Sequence, residues 1–195
     1  MEVISLPRGR KANSSGEKSK KLLLEKAIEL FSQRGYHETK ISDIVKAANL
    51  TQPTFYLYFT NKESLYTDLL AQFKNSVIDI INHDLNDSHD ENVIKKVENC
   101  IFNLFKYFKR NQKLTKMGFD SEVSAEIKNY FSQLLEEQFN LVKNQYGVDI
   151  DSRLIADSLV GSVERLAFTA LLEEEKQPEE LASTIIQIFF HEVYV

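Results

Sequence analysis

The stretch ISDIVKAANLTQPTFYLYF, running from Ile41 to Phe59, decides how the rest of the chain is read. It splits into two short apolar-periodic segments, Ile41–Ala48 and Gln52–Phe59, separated by Asn49, Leu50 and Thr51. In the first, Ile41, Ile44, Val45 and Ala48 share one helical face. Asn49 tolerates the left-handed backbone that must follow a helix ending there. Thr51 is suited to cap the second segment, and Pro53 stands just inside its start, where a missing N–H costs nothing. Two short helices joined by a tight turn have a specific use: the first braces against a DNA backbone while the second enters the major groove.

The surface of the second segment fits that use. Gln52, Pro53, Thr54, Tyr56 and Tyr58 are carried on a scaffold of Leu50, Phe55 and Phe59. Glutamine can pair with an adenine edge, proline and the threonine methyl can touch a thymine methyl, and tyrosine hydroxyls reach phosphates. Lys62, at the start of the next helix, is placed for a further phosphate. A hairpin inside any helical bundle is the competing reading, and it does not account for polar and aromatic residues crowded onto so short a segment.

Outward from this core, residues 1–16 read as a flexible basic arm carrying Arg8, Arg10 and Lys11. A helix is expected from Glu17, with Leu23, Ala27, Leu30 and Phe31 on one face and Gly35 as its stop. Another runs from Lys62 to about Asn82. Longer amphipathic helices are expected near Glu91–Lys109, Gln112–Met117, Val123–Gln145, Ser152–Glu173 and Pro178–Tyr194. No alternating pattern proposes a strand. The reading is all-α, with an N-terminal unit that contains the helix-turn-helix (17–61) followed by a longer helical bundle (62–195).

Charge follows the same division. The chain's 195 residues carry a net charge of −5, yet residues 1–60 hold 10 Lys and Arg against 6 Asp and Glu. That asymmetry suits a small module facing phosphates, although chance variation in solvated charge would also produce it. Cys100 is the single cysteine, which excludes an internal disulfide and reads as a buried, inert thiol rather than a redox switch. The N-terminal residues lack the apolar stretch of a secretion signal, and no run approaches the ~20 apolar residues of a membrane span. A cytoplasmic location without membrane attachment is expected.

Several further residues complete the pattern. The order Ala27–Phe31, Gly35-Tyr36, Ile41–Val45, Ala48, Leu50, Gln52–Phe59 and Asn61-Lys62-Glu63 resembles the signature of the TetR (tetracycline repressor) family, over roughly residues 17–66. The resemblance implies nine or ten helices, three of them in the DNA-binding domain. It implies dimerisation through the last two helices and a pseudo-palindromic operator from which a repressor is released by a small molecule. By the same matching, base contacts fall to Gln52, Pro53, Thr54 and Tyr58, and phosphate contacts to Thr39, Tyr56 and Lys62. Two departures stand out. Asn49 replaces the turn glycine of many members. Lys40 stands where a capping Ser or Thr is usual, so Thr39 or Ser42 is expected to cap the first recognition-motif helix while Lys40 adds a phosphate contact. The basic arm either threads the adjacent minor groove or acts as a tail of general attraction.

Beyond Tyr66 the resemblance supplies architecture and no ligand. Ile155, Leu159, Val163, Leu166 and Leu171 form one apolar face; Leu181, Ile185, Ile188, Phe189 and Val193 form another. Gly161, Ala167 and Ala170 allow close approach of a second helix, in the same bundle or another subunit. Candidate effector-contacting residues are Phe102, Phe105, Met117, Phe119, Glu122, Tyr130, Arg165 and Phe168, with core packing as the alternative for each aromatic. Arg165 is expected to meet either a ligand carboxylate or a partner such as Glu122. The effector is read as apolar or aromatic, with room for one acidic group, and cationic compounds are the competing class. His37, His83, His89 and His191 are scattered without metal-ligand spacing, and phosphate-binding glycine loops are lacking, so no metal, cofactor or catalytic site is expected. The competing function is a helical interaction or adaptor protein that would share the bundle and not the recognition helix.

Overall fold

A computed structural model describes residues 12–86 and 92–190, with the side chains of 12–15 left aside. The arm residues Arg8, Arg10 and Lys11 lie outside the described residues. Among those described there are helices and no strands. In chain order they are α1 (Ala12–Arg34), α2 (Ile41–Ala47), α3 (Gln52–Tyr56), α4 (Lys62–Leu85), α5 (Val93–Arg110), α6 (Gln112–Phe119), α7 (Val123–Tyr146), α8 (Ser152–Leu166) and α9 (Pro178–Phe190). None of the described helices is long and apolar enough to cross a membrane.

The chain forms two compact units, residues 1–69 and 70–195, so the division falls within α4. In the first unit, the apolar stripe of α1 supplies Leu23, Ala27 and Phe31 to a core shared with Ile44, Val45, Phe55, Phe59 and Leu65. Gly35 ends α1 as expected: its φ of 81° is left-handed, and its N–H donates to the Phe31 carbonyl. Asn49 adopts φ 51° after α2, the conformation read from its residue type.

Three of the boundaries that differ from the sequence reading have a local reason. Helix α1 begins at Ala12 and not Glu17, because the backbone ladder continues for more than a turn ahead of the apolar stripe. Helix α3 closes at Tyr56 where a run to Phe59 was expected: Tyr58 N–H donates back three residues to Phe55, and the last turn tightens. The helix expected over Ser152–Glu173 is α8 followed by a π-helical turn, Ala167–Leu171, in which Leu172 N–H reaches the Ala167 carbonyl. Such a turn leaves the apolar period almost unchanged, which is why the pattern does not announce it.

In the second unit α7 lies along α8 and α5 along α9. Between α4 and α6 the approach is tight. A Cβ built at Gly118 would fall 2.2 Å from the Phe73 ring, so only glycine fits there. Phe73, Phe108 and Phe119 pack around that point with ring centroids 5.2–6.4 Å apart.

Candidate nucleic-acid interface

Helix α3 owes its position to two buried aromatic rings. Phe55 is fully buried and Phe59 nearly so, their rings 5.4 Å apart, and together they fix the helix to α1 and α2. At its start, Thr51 Oγ1 accepts from Thr54 N–H at 3.4 Å, the expected cap. The Thr51 and Thr54 hydroxyls lie 2.9 Å apart, so one proton bridges them and the other is left for an outside acceptor. Gln52, Pro53 and Tyr56 are exposed on the same outward side, with Tyr56 at 55%. These residues hold donors, acceptors and apolar edges clear of the protein, as base-edge reading requires.

Other expected contacts are placed differently. Thr39 is 1% exposed, and its hydroxyl donates to the Gly35 carbonyl at 2.8 Å. It is therefore spent inside the fold and is not presented to a phosphate. Neither Thr39 nor Ser42 caps α2; the Asp43 carboxylate accepts instead from the Lys40 N–H at 3.2 Å, and Ser42 is exposed. Lys40 is exposed, as its expected role needs.

Lys62 is a second correction. Its ammonium donates to the carbonyls of Tyr36 (2.6 Å), His37 (3.3 Å) and Thr39 (2.9 Å), and lies 4.2 Å from the centre of the Tyr36 ring. Three carbonyls use all three of its protons, so Lys62 ties the α1–α2 loop to the start of α4. Tyr58 is half-buried, and its hydroxyl lies beside Gly16 of α1, away from the side that carries Gln52 and Pro53. Leu57 has no expected role in the sequence pattern. It is 76% exposed, although it stands directly after α3 in a right-handed helical conformation. The signal was present: Leu57 follows Pro53 by four residues, and Phe55 lies on the opposite side.

The second unit contains a narrow apolar cleft beneath Phe119. Val77, Ile81, Leu104, Phe108, Ile127, Phe131, Val160 and Val163 complete it, and it encloses about 20 Å³ of free space. That is room for a water molecule and no more. At its rim Lys128 bonds both oxygens of Glu164 at 3.0 Å. Of the effector candidates, Phe119 lines the cleft and Phe168 packs on it at 5.4 Å. The others do not line it. Phe105 is fully buried in the core, Phe102 lies under the Lys106 ammonium, and Tyr130 donates its hydroxyl to Asn82. Met117 is half-buried, while Glu122 and Arg165 are exposed; among the described residues no ion pair joins them. The charged rim of the cleft is thus Lys128 and Glu164, and Arg165 does not line it. A larger hollow of about 370 Å³ lies between the end of α7 and the start of α8, but it is open and lined by Glu136, Lys143, Asp149, Asp151 and Arg153.

Residues 23–69, which contain α2, α3 and their turn, match the family model for bacterial regulatory proteins of the tetR family. Over 185 residues the chain is 34% identical to the uncharacterized HTH-type transcriptional regulator YdgC of Bacillus subtilis, covering 91% of this chain and 94% of that one. The chain belongs to the TetR family. As a TetR-family member it is a DNA-binding transcriptional regulator, and α2–α3 is its helix-turn-helix. Solved structures agree in fold across both units. A TetR-like transcriptional regulator from Rhodococcus sp. RHA1 superposes with a TM-score of 0.73 at 18% identity, covering 97% of this chain and 99% of that one. The fatty acid degradation regulator FadR from Bacillus halodurans gives 0.71 at 21% identity, covering 93% and 96%. The adaptor reading is not favoured by these likenesses.

Proposed function

We propose that this TetR-family protein is a repressor that binds a pseudo-palindromic operator as a homodimer and is released by a small apolar effector. The observation that carries the DNA-reading part is α3 itself, where Gln52, Pro53 and Tyr56 are held outward over a fully buried Phe55. The side chains assigned to DNA are Gln52, Pro53, Thr54 and Tyr56, with Lys40, Ser42 and Thr51 beside them and the arm residues Arg8, Arg10 and Lys11 adding charge. Dimerisation is assigned to the outer faces of α8 and α9. Leu154 and Ile188 are 63% and 69% exposed there, and Gly161 and Arg165 share the exposed stripe with Leu154 and Ser158.

The effector site is assigned to the cleft at Phe119, Ile127, Phe131 and Val163. Its lining is apolar, which suits an apolar or aromatic ligand with one polar group at Lys128 or Glu164. With room for only one water, the closed cleft must open to admit a ligand. An effector that binds the opened form more tightly shifts the population towards it, whereas equal affinity for both forms would shift nothing. FadR of Bacillus halodurans, by its name, regulates fatty acid degradation, and fatty acids therefore belong in the effector screen.

The test selects bound duplexes from a random library and measures affinity for the winner and for scrambled DNA over a salt series. The reading requires a preference that persists as salt rises. Equal affinities at every salt concentration would reduce the interaction to charge attraction and overturn it.

A further inference from the structure

Leu57 is the most exposed large apolar side chain of the first unit among the described residues, at 76%, and it stands at the end of the helix assigned to DNA. Its backbone, at φ −71° and ψ −22°, continues the α3 spiral. Successive residues advance by about 100°. Leu57 is therefore roughly 200° from the buried Phe55 and lies one turn beyond Pro53, on the pole of α3 that points away from the core. Pro53 is exposed as well. The two make a short apolar ridge, with Gln52 and Tyr56 on one side and Thr54 on the other. Neither side chain has a donor or acceptor, so the ridge cannot read a base by hydrogen bonding. Water is a poor partner for it, and burial of Leu57 against an apolar group is favourable. In the major groove the apolar group presented by a base is the C5-methyl of thymine.

We infer that Leu57 is a specificity-determining residue that reads a thymine methyl group in each half of the operator. The inference rests on the assignment of α3 to the major groove and adds to it a base identity that Gln52 and Thr54 do not fix. Leu57 lies one helical turn, about 5.4 Å, beyond Pro53. It therefore meets a different base step from the one next to Pro53.

The experiment uses the full chain and the duplex selected from a random library. Each thymine of that duplex is replaced singly by deoxyuridine, which removes the methyl and leaves every hydrogen-bonding group in place. The parent is expected to lose about 3–5-fold in affinity at one thymine per half-site through Leu57, on the scale of one buried methyl. In Leu57→Ala that loss disappears at that thymine and persists at others, while Leu57→Met retains it. The exposure of Leu57 means the variants keep the parent's melting temperature, and circular dichroism checks this. Identical uracil profiles for the parent and Leu57→Ala would overturn the inference while leaving α3 as the recognition helix. A parent that selects no sequence would overturn the recognition-helix assignment as well.

Discussion

Gln52 and Lys62 are both polar residues next to the turn, yet their surroundings give them opposite roles. Gln52 is exposed with its amide free to pair with a base, so Gln52→Ala is expected to cost ~1–3 kcal/mol on the selected DNA and nothing on scrambled DNA. Lys62 is fastened to three carbonyls, and its loss is felt in the fold. Lys62→Ala is expected to lower stability by about 1–3 kcal/mol in chemical denaturation while leaving the salt dependence of DNA binding unchanged. A phosphate contact would instead reduce the salt slope by about 1 with stability intact. Cys100 is fully buried, and burial, assisted by the nearby Asp84 carboxylate, pushes its thiol well above the usual range. It is expected to resist alkylation until the chain unfolds; rapid modification of the native protein would show that the site opens.

At the scale of elements, the recognition motif was legible because its turn is built from local chemistry. Asn49, Thr51 and Pro53 each impose a backbone conformation or cap that the sequence states outright, and the structure shows the first two in place. The cap of α2 was not legible. Asp43 is a conventional helix residue whose reach back to Lys40 N–H becomes visible only in three dimensions. Thr39 was misassigned for a similar reason: a threonine before a helix reads as polar surface until a carbonyl is seen folding over it. The close approach of α6 to α4 was equally hidden, since nothing around Gly118 marks it as the point where the Phe73 ring lies against bare backbone. Gly118→Ala is expected to destabilise the protein by about 1–3 kcal/mol through overpacking. Adding Phe73→Leu should recover part of that loss in thermal melts. Equal destabilisation with and without the second change would contradict the contact.

For the whole molecule, the all-helical plan followed from periodicity, while the lining of the apolar cleft did not. Aromatic residues are as useful to a core as to a pocket, so Phe105 and Phe119 look alike in sequence and differ only in what the fold places beside them. The proposed dimer face shows the same effect. Ala167 is fully buried within its own unit, so a charge there would damage the fold and not the assembly. Leu154 and Ile188 are the appropriate positions, and Leu154→Glu with Ile188→Lys is expected to give folded monomers by light scattering with much weaker operator binding. One recognition helix reads too few bases to select a site within a genome, so operator specificity requires two. Hydroxyl-radical footprinting of the full chain on its selected DNA measures this directly. Two protected regions related by a two-fold axis are expected, with centres about 34–36 Å apart or further on distorted DNA. A single protected region, or uniform protection along the duplex, would contradict that arrangement.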